Sequence, residues 1–129
     1  MLIVIAHGSP KEAWRDSVEG LLRSLQEEIG EDRVRLAYLE HGPPTLDETL
    51  SEVIAAGATK VRILPLFLAG DGHVASDIRP LVDKARSRYG QVDLELLPAV
   101  GQHPLFRDLL LELIRQTGER DPAGPEKAR

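Results

Sequence analysis

The chain has 129 residues, 42% hydrophobic and 29% charged, which fits one soluble domain with a core of its own. A formal net charge of −5 and few aromatics speak against a nucleic-acid surface. No run is long and apolar enough for a signal peptide or a membrane span, so a cytoplasmic protein is expected. Without Cys, disulfides and thiolate metal sites are excluded, and a metal has only His, Asp, Glu and backbone oxygen to bind.

Leu2–Ala6 is a continuous apolar run and predicts a strand covered on both faces. Ser9-Pro10-Lys11-Glu12 reads as a capping box with proline at the first helical position. The helix it opens runs to about Ile29, and Gly30 stops it. Arg33–Leu39 alternates apolar and polar residues and predicts a second strand. Thr45-Leu46-Asp47-Glu48 is a second capping box, and its helix ends at Gly57. Val61–Leu68 predicts a third strand, again nearly continuous in apolar residues and so covered on both faces. A third helix starts near Asp77, with Ile78, Leu81, Val82 and Ala85 on one face and Pro80 tolerated in its first turn. Val92–Pro98 predicts the fourth strand. The fourth helix begins at Pro104, with Phe106, Leu109, Leu110, Leu113 and Ile114 as its buried stripe and Gly118 as its close. Residues 119–129 lack apolar periodicity and read as a flexible tail. Alternating strands and helices with short connections predict right-handed βαβ units. The expectation is one flavodoxin-like, three-layer α/β domain over residues 1–118, with a four-stranded parallel sheet.

Such sheets bind ligands beyond the carboxyl ends of their strands. His7, His41, His73 and His103 all fall on segments leaving a strand, which places them on one rim. A solvated loop histidine is the ordinary explanation for any one of them and a weaker one for four together. His7 to Glu40 is 33 residues, and Glu40 to His73 is again 33, one βα unit per step. Two imidazoles and a carboxylate suit a borderline divalent metal such as Co²⁺, Fe²⁺, Ni²⁺ or Zn²⁺. Gly8 beside His7, and Gly70 and Gly72 before His73, remove side chains around these ligands, so that backbone can approach something large and flat. For Gly70 and Gly72 the structural alternative is a tight turn needing positive φ. The His7-Gly8-Ser9 turn also offers an anion the start of a helix, although such a serine is more often an N-cap. There is no dinucleotide fingerprint and no Walker lysine.

Four segments, VIAHGSP at 4–10, AYLEHGPPTLDETL at 37–50, PLFLAGDGHVASDI at 65–78 and GQHPLF at 101–106, resemble the short class II tetrapyrrole chelatases. These are the cobalt- and iron-inserting sirohydrochlorin chelatases, and the resemblance spans about residues 2–115. Its most specific part is a buried strand running into Gly-x-Gly-His-Val. The resemblance implies an enzyme, a metal chelatase of the lyase class, acting in cobalamin or siroheme biosynthesis. It inserts a divalent metal into sirohydrochlorin with release of two pyrrole protons. The metal, Co²⁺ or Fe²⁺ and also Ni²⁺, is a substrate, and no prosthetic group is implied. The family's metal-site histidines fall on His7 and His73 and its acidic partner on Glu40, which makes these three the catalytic and metal residues. Gly8, Ser9, Gly70, Gly72, Val74 and Arg79 are the implied sirohydrochlorin contacts.

There are departures from the family pattern. Pro43 stands where members often carry another Glu, Asp71-Gly72-His73 replaces Gly-Gly-His, and Arg79 separates Asp77-Ile78 from Pro80. Sirohydrochlorin carries many carboxylates, so Arg79, Lys11 and Arg15 are candidates for its entrance, with exposed helix charges the ordinary explanation for each. Larger chelatases of this kind face two such domains across a cleft, which implies that a short chain pairs with itself as a C₂ homodimer. His103, just before Pro104, is also placed to cap the fourth helix. Two other classes stay open: a non-catalytic metal or tetrapyrrole carrier with the same ligands, and a phosphate-handling α/β enzyme using His7-Gly8-Ser9.

Overall fold

The computed structural model describes residues 1–69, 72 and 74–120, with only the backbone of Val74, Ala75, Glu119 and Arg120. Four strands, β1 (Leu2–Ala6), β2 (Val34–Tyr38), β3 (Lys60–Pro65) and β4 (Asp93–Leu96), form an all-parallel sheet in the order β2-β1-β3-β4. The helices are α1 (Glu12–Ile29), α2 (Leu46–Ala55), α3 (Arg79–Arg88) and α4 (Pro104–Arg120). A π-helical turn, Val74–Ile78, leads into α3, and a 3₁₀ turn, Val100–Gln102, leads into α4. The flavodoxin-like expectation holds. The strand order reverses at β1, the switch point where such sheets bind ligands.

Local chemistry sets the element ends. Thr45 Oγ1 accepts from Glu48 N at 3.1 Å and Glu48 Oε1 from Thr45 N at 2.8 Å, so the capping box of α2 is real. The one expected for α1 is not. Ser9 Oγ accepts from Lys11 N at 3.1 Å, and α1 starts at Glu12 with no side-chain cap. Ser9 closes a local turn instead, as short hydroxyl side chains do, and Pro10 falls ahead of the helix. β3 stops at Pro65 rather than Leu68. Its even-numbered residues donate to β1, as Arg62 N does to Met1 O and Leu66 N to Ile5 O. Pro65 therefore sits where β3 donates towards β4, and it has no N–H to give.

The core lies mainly on one face of the sheet. Ile3, Ile5, Val61 and Ile63 pack there against Leu50 and Val53 of α2 and Val82 of α3. On the other face α1 buries only Val4, Leu22 and Val34. β3 accordingly alternates, with Val61 and Ile63 buried and Lys60 and Arg62 exposed, and Arg62 pairs with Glu95 of β4 at 3.4 Å. The expectation that β3 is covered on both faces fails at Lys60 and Arg62 and holds in part towards its end, where Leu64 and Leu66 are half-buried against the α1 cluster.

The predicted stripe of α4 is likewise not buried. Leu109 is 52% exposed, Leu113 48% and Ile114 66%, and no described side chain of α4 is buried. α4 also continues through Gly118 to Arg120, past its expected stop. An apolar hollow of about 610 Å³, lined by Leu64, Leu97, Pro98, Phe106 and Leu109 among others, opens between the uncovered strands and the base of α4. Among the described residues no helix is long and apolar enough to cross a membrane.

Candidate functional site

The site grows out of the β1–β2 ladder. Backbone pairing continues past both strands: Leu39 N donates to Ala6 O at 2.8 Å and Glu40 N to His7 O at 3.1 Å. That pairing carries Glu40 to the exit of β1. Gly8 makes room for it. Its φ is +96°, and a Cβ there would collide with the Glu40 carbonyl oxygen, so only glycine fits the seam.

The side chains meet above this seam. His7 Nε2 lies 3.3 Å from Glu40 Oε2, with side chains 41% and 50% exposed. His41 Nε2 stands 3.9 Å from the other carboxylate oxygen, Oε1. The Phe67 ring lies beside His7, with centroids 6.1 Å apart and planes tilted by 50°. The pair is thus open to solvent on one side and walled by an aromatic ring on another. An imidazole and a carboxylate in contact form the start of a metal site and can also take up protons.

The structure brings together His7 and Glu40 of the expected site, with His41 beside them. His73 and Gly70 lie outside the described residues, as do Asp71 and residues 121–129. Among the described residues no group of three ligating side chains is placed to hold a metal. Val74 belongs to the π-helical turn, and Arg79, exposed, opens α3. Gly72 has open space where a Cβ would stand and is not in the left-handed region, so its alternative as a positive-φ turn fails. His103 caps α4, its Nδ1 accepting from Leu105 N at 3.1 Å. The phosphate alternative loses its footing. The Lys11 N–H is given to Ser9 Oγ, and the first helical residue is the acidic Glu12, which repels an anion. Arg15, a candidate for the substrate entrance, instead donates to backbone carbonyls of the turn after β2.

Sequence reasoning did not set the Phe67 ring against His7. The period of β3 held the signal, since Ile63, Pro65 and Phe67 share one face. It also missed Tyr38, which anchors the end of β2 to α1 by donating from its hydroxyl to Glu19 Oε2 at 2.8 Å. Burial pushes the Tyr38 phenol up from 10.0 to about 12, helped by the Glu19 hydrogen bond and charge and opposed by Arg15. The folded value lies above the unfolded one. The stability that protonated Tyr38 contributes is therefore complete below pH 10 and is lost as pH rises towards about 12. Alkaline absorbance titration should show a phenol ionising well above 10, absent in Tyr38→Phe; a Tyr38 that ionises at its ordinary value would contradict the anchoring.

The CbiX family model matches residues 1–117. A sirohydrochlorin ferrochelatase of Priestia megaterium is 26% identical over 116 residues, covering 90% of this chain and 44% of the relative. This chain therefore spans about half the length of that protein. A sirohydrochlorin cobaltochelatase of Saccharolobus solfataricus is 26% identical over 122 residues, covering 90% of this chain and 94% of the relative. The solved structure of a CbiX protein from Marinobacter aquaeolei VT8 superposes with a TM-score of 0.79 at 26% identity, over 92% of this chain and 97% of that one. With the fold, the rim position of His7 and Glu40 and the match over residues 1–117 in agreement, the chain belongs to the CbiX family.

Proposed function

We propose that the chain is a sirohydrochlorin chelatase, which inserts Co²⁺ or Fe²⁺ into sirohydrochlorin while two pyrrole protons leave. The His7–Glu40 pair carries this proposal: it stands 3.3 Å apart, half exposed, at the switch point of the sheet. An aquo-cation must shed water on its way into the macrocycle, and imidazole and carboxylate can replace that water ligand by ligand. Imidazole can also accept a pyrrole proton, with the carboxylate beside it to stabilise the cation that forms. Glu40 adds negative charge that favours entry of the cation. His73 is the third ligand, supported by its 33-residue register with Glu40 and by the pairing of β3 beside β1. Gly8, Ser9, Gly70, Gly72, Val74 and Arg79 line the approach of the tetrapyrrole.

The working form is a homodimer in the cytoplasm. The support for pairing is the uncovered apolar face of α4 together with the uncovered half of the sheet, two surfaces that a second copy can cover at once. Anaerobic incubation of sirohydrochlorin with Co²⁺ and, separately, Fe²⁺ tests the activity by the change in tetrapyrrole absorbance. Protein should accelerate insertion of at least one metal over the protein-free rate. No acceleration with either metal would remove the chelatase function.

A further inference from the structure

We infer, on the basis of the proposed metal site, that Arg15 is a positioning residue: its guanidinium pins the turn after β2 and so holds Glu40 beside His7. Glu40 sits at the head of an irregular turn, residues 40–44, tied at its ends by Glu40 N to His7 O and Tyr38 N to Pro44 O and leaving the His41 and Pro43 carbonyls to be met from outside. Arg15 projects from the first turn of α1 and forks across it. Nη1 donates to His41 O at 3.0 Å and Nη2 to Pro43 O at 3.1 Å. Those carbonyls flank Gly42, whose φ is +120° and where a Cβ would stand 2.9 Å from Arg15 Nη1. The turn and the guanidinium are therefore fitted to each other.

The conformation being held is a costly one. His41, which is not a glycine, has φ +68°, a left-handed conformation that persists only where the surroundings fix it. Only a planar fork with donors on separate nitrogens reaches both carbonyls at once; a lysine ammonium is a point donor at the end of a flexible stem. Arg15 is itself anchored. Its guanidinium carbon lies 5.1 Å from the centroid of the Tyr38 ring, and Tyr38 is bound to Glu19, one turn further along α1. A continuous set of contacts thus runs from α1 through Arg15 to His41 and Pro43, just after the carboxylate. The helix position of Arg15 adds a second hold on Glu40 to the backbone pairing of Glu40 N with His7 O.

The test is Arg15→Met, which keeps the apolar stem and removes the donors, alongside Glu40→Gln and the double variant. Loss of a supporting contact to a metal-site residue should lower kcat for insertion about 10- to 100-fold. KM for sirohydrochlorin should stay within about twofold, because uniform substrate binding is untouched. The double variant should be within about twofold of Glu40→Gln alone, since both changes remove the same interaction. Arg15→Lys should fall between wild type and Arg15→Met. A wild-type kcat in Arg15→Met, or additive losses in the double variant, would overturn the inference. A raised KM with unchanged kcat would also overturn it, making Arg15 a contact for substrate carboxylates. Amide hydrogen exchange gives an answer independent of chemistry: Glu40, His41 and Gly42 should exchange faster in Arg15→Met while the sheet is unchanged. If the wild-type chain inserted no metal, the proposed activity would fall, and unchanged exchange in the turn would separately sink the pinning by Arg15.

Discussion

His7→Ala is expected to slow metal insertion by about 100-fold or more, the usual scale for loss of a positioned acid–base group. His7 touches the only carboxylate that the described part of the rim brings to the exit of β1, and it does so through Nε2 at 3.3 Å. Removing the imidazole takes away a metal ligand and a proton acceptor together, and no described neighbour replaces both. His41 reaches Glu40 only at 3.9 Å, on the other oxygen. The fold should not change. The His7 side chain is 41% exposed and belongs to neither core cluster, so stability should stay within about 0.5 kcal/mol of wild type. Unfolding midpoints measured beside the rates separate the two effects. An alanine variant with the wild-type rate would remove His7 from the chemistry. Glu40→Gln should be slower by a smaller factor, because the amide keeps the shape and the backbone seam while losing the charge.

The second large effect concerns assembly. Leu109→Glu combined with Leu113→Glu should convert a dimer at micromolar concentration into a monomer. The five exposed apolar residues of α4, Leu105, Leu109, Leu110, Leu113 and Ile114, offer roughly 500 Å² of apolar surface, and a symmetric pair with its receiving faces buries on the order of 2,000 Å², enough for a stable dimer. The receiving face is the half of the sheet that α1 leaves open, with Leu64 and Leu97 at the hollow. α1 adds Leu21 and Leu25, which are also exposed. Two carboxylates placed in such an interface lose their hydration without a partner, which costs several times the thermal energy each. Because no described side chain of α4 is buried, the monomer should keep its sheet and its far-ultraviolet circular dichroism. Sedimentation of the wild-type chain as a monomer at micromolar concentration would contradict the pairing.

Much of this was legible in the sequence because it rests on local chemistry. The continuous run Leu2–Ala6 gave β1, Thr45 and Glu48 gave the start of α2, and Gly30 gave the end of α1. The meeting of His7 and Glu40 followed from register, since one βα unit per step lands both on neighbouring exits. What failed did so for physical reasons. Ser9 and Glu12 satisfy the capping-box pattern, yet the serine hydroxyl bonds two residues on and the helix begins later. Apolar continuity in Val61–Leu68 does not say which neighbour covers it, and the stripe of α4 does not say whether its partner is its own sheet or another copy. Arg15 reads as a charge on an exposed helix face, because its acceptors are backbone carbonyls and these leave no mark in side-chain patterns.

The central claim is catalysis, and the number of products formed per chain tests it most directly. Sirohydrochlorin and Co²⁺ or Fe²⁺ would be supplied anaerobically in large excess over protein, and metallated product counted by absorbance until the reaction stops. A chelatase releases its product and works again, so the account predicts many products per chain, two protons released per metal inserted, and loss of this turnover in His7→Ala. A plateau at one tetrapyrrole or one metal per chain would contradict it, and would make the protein a carrier that binds the same molecules through the same rim.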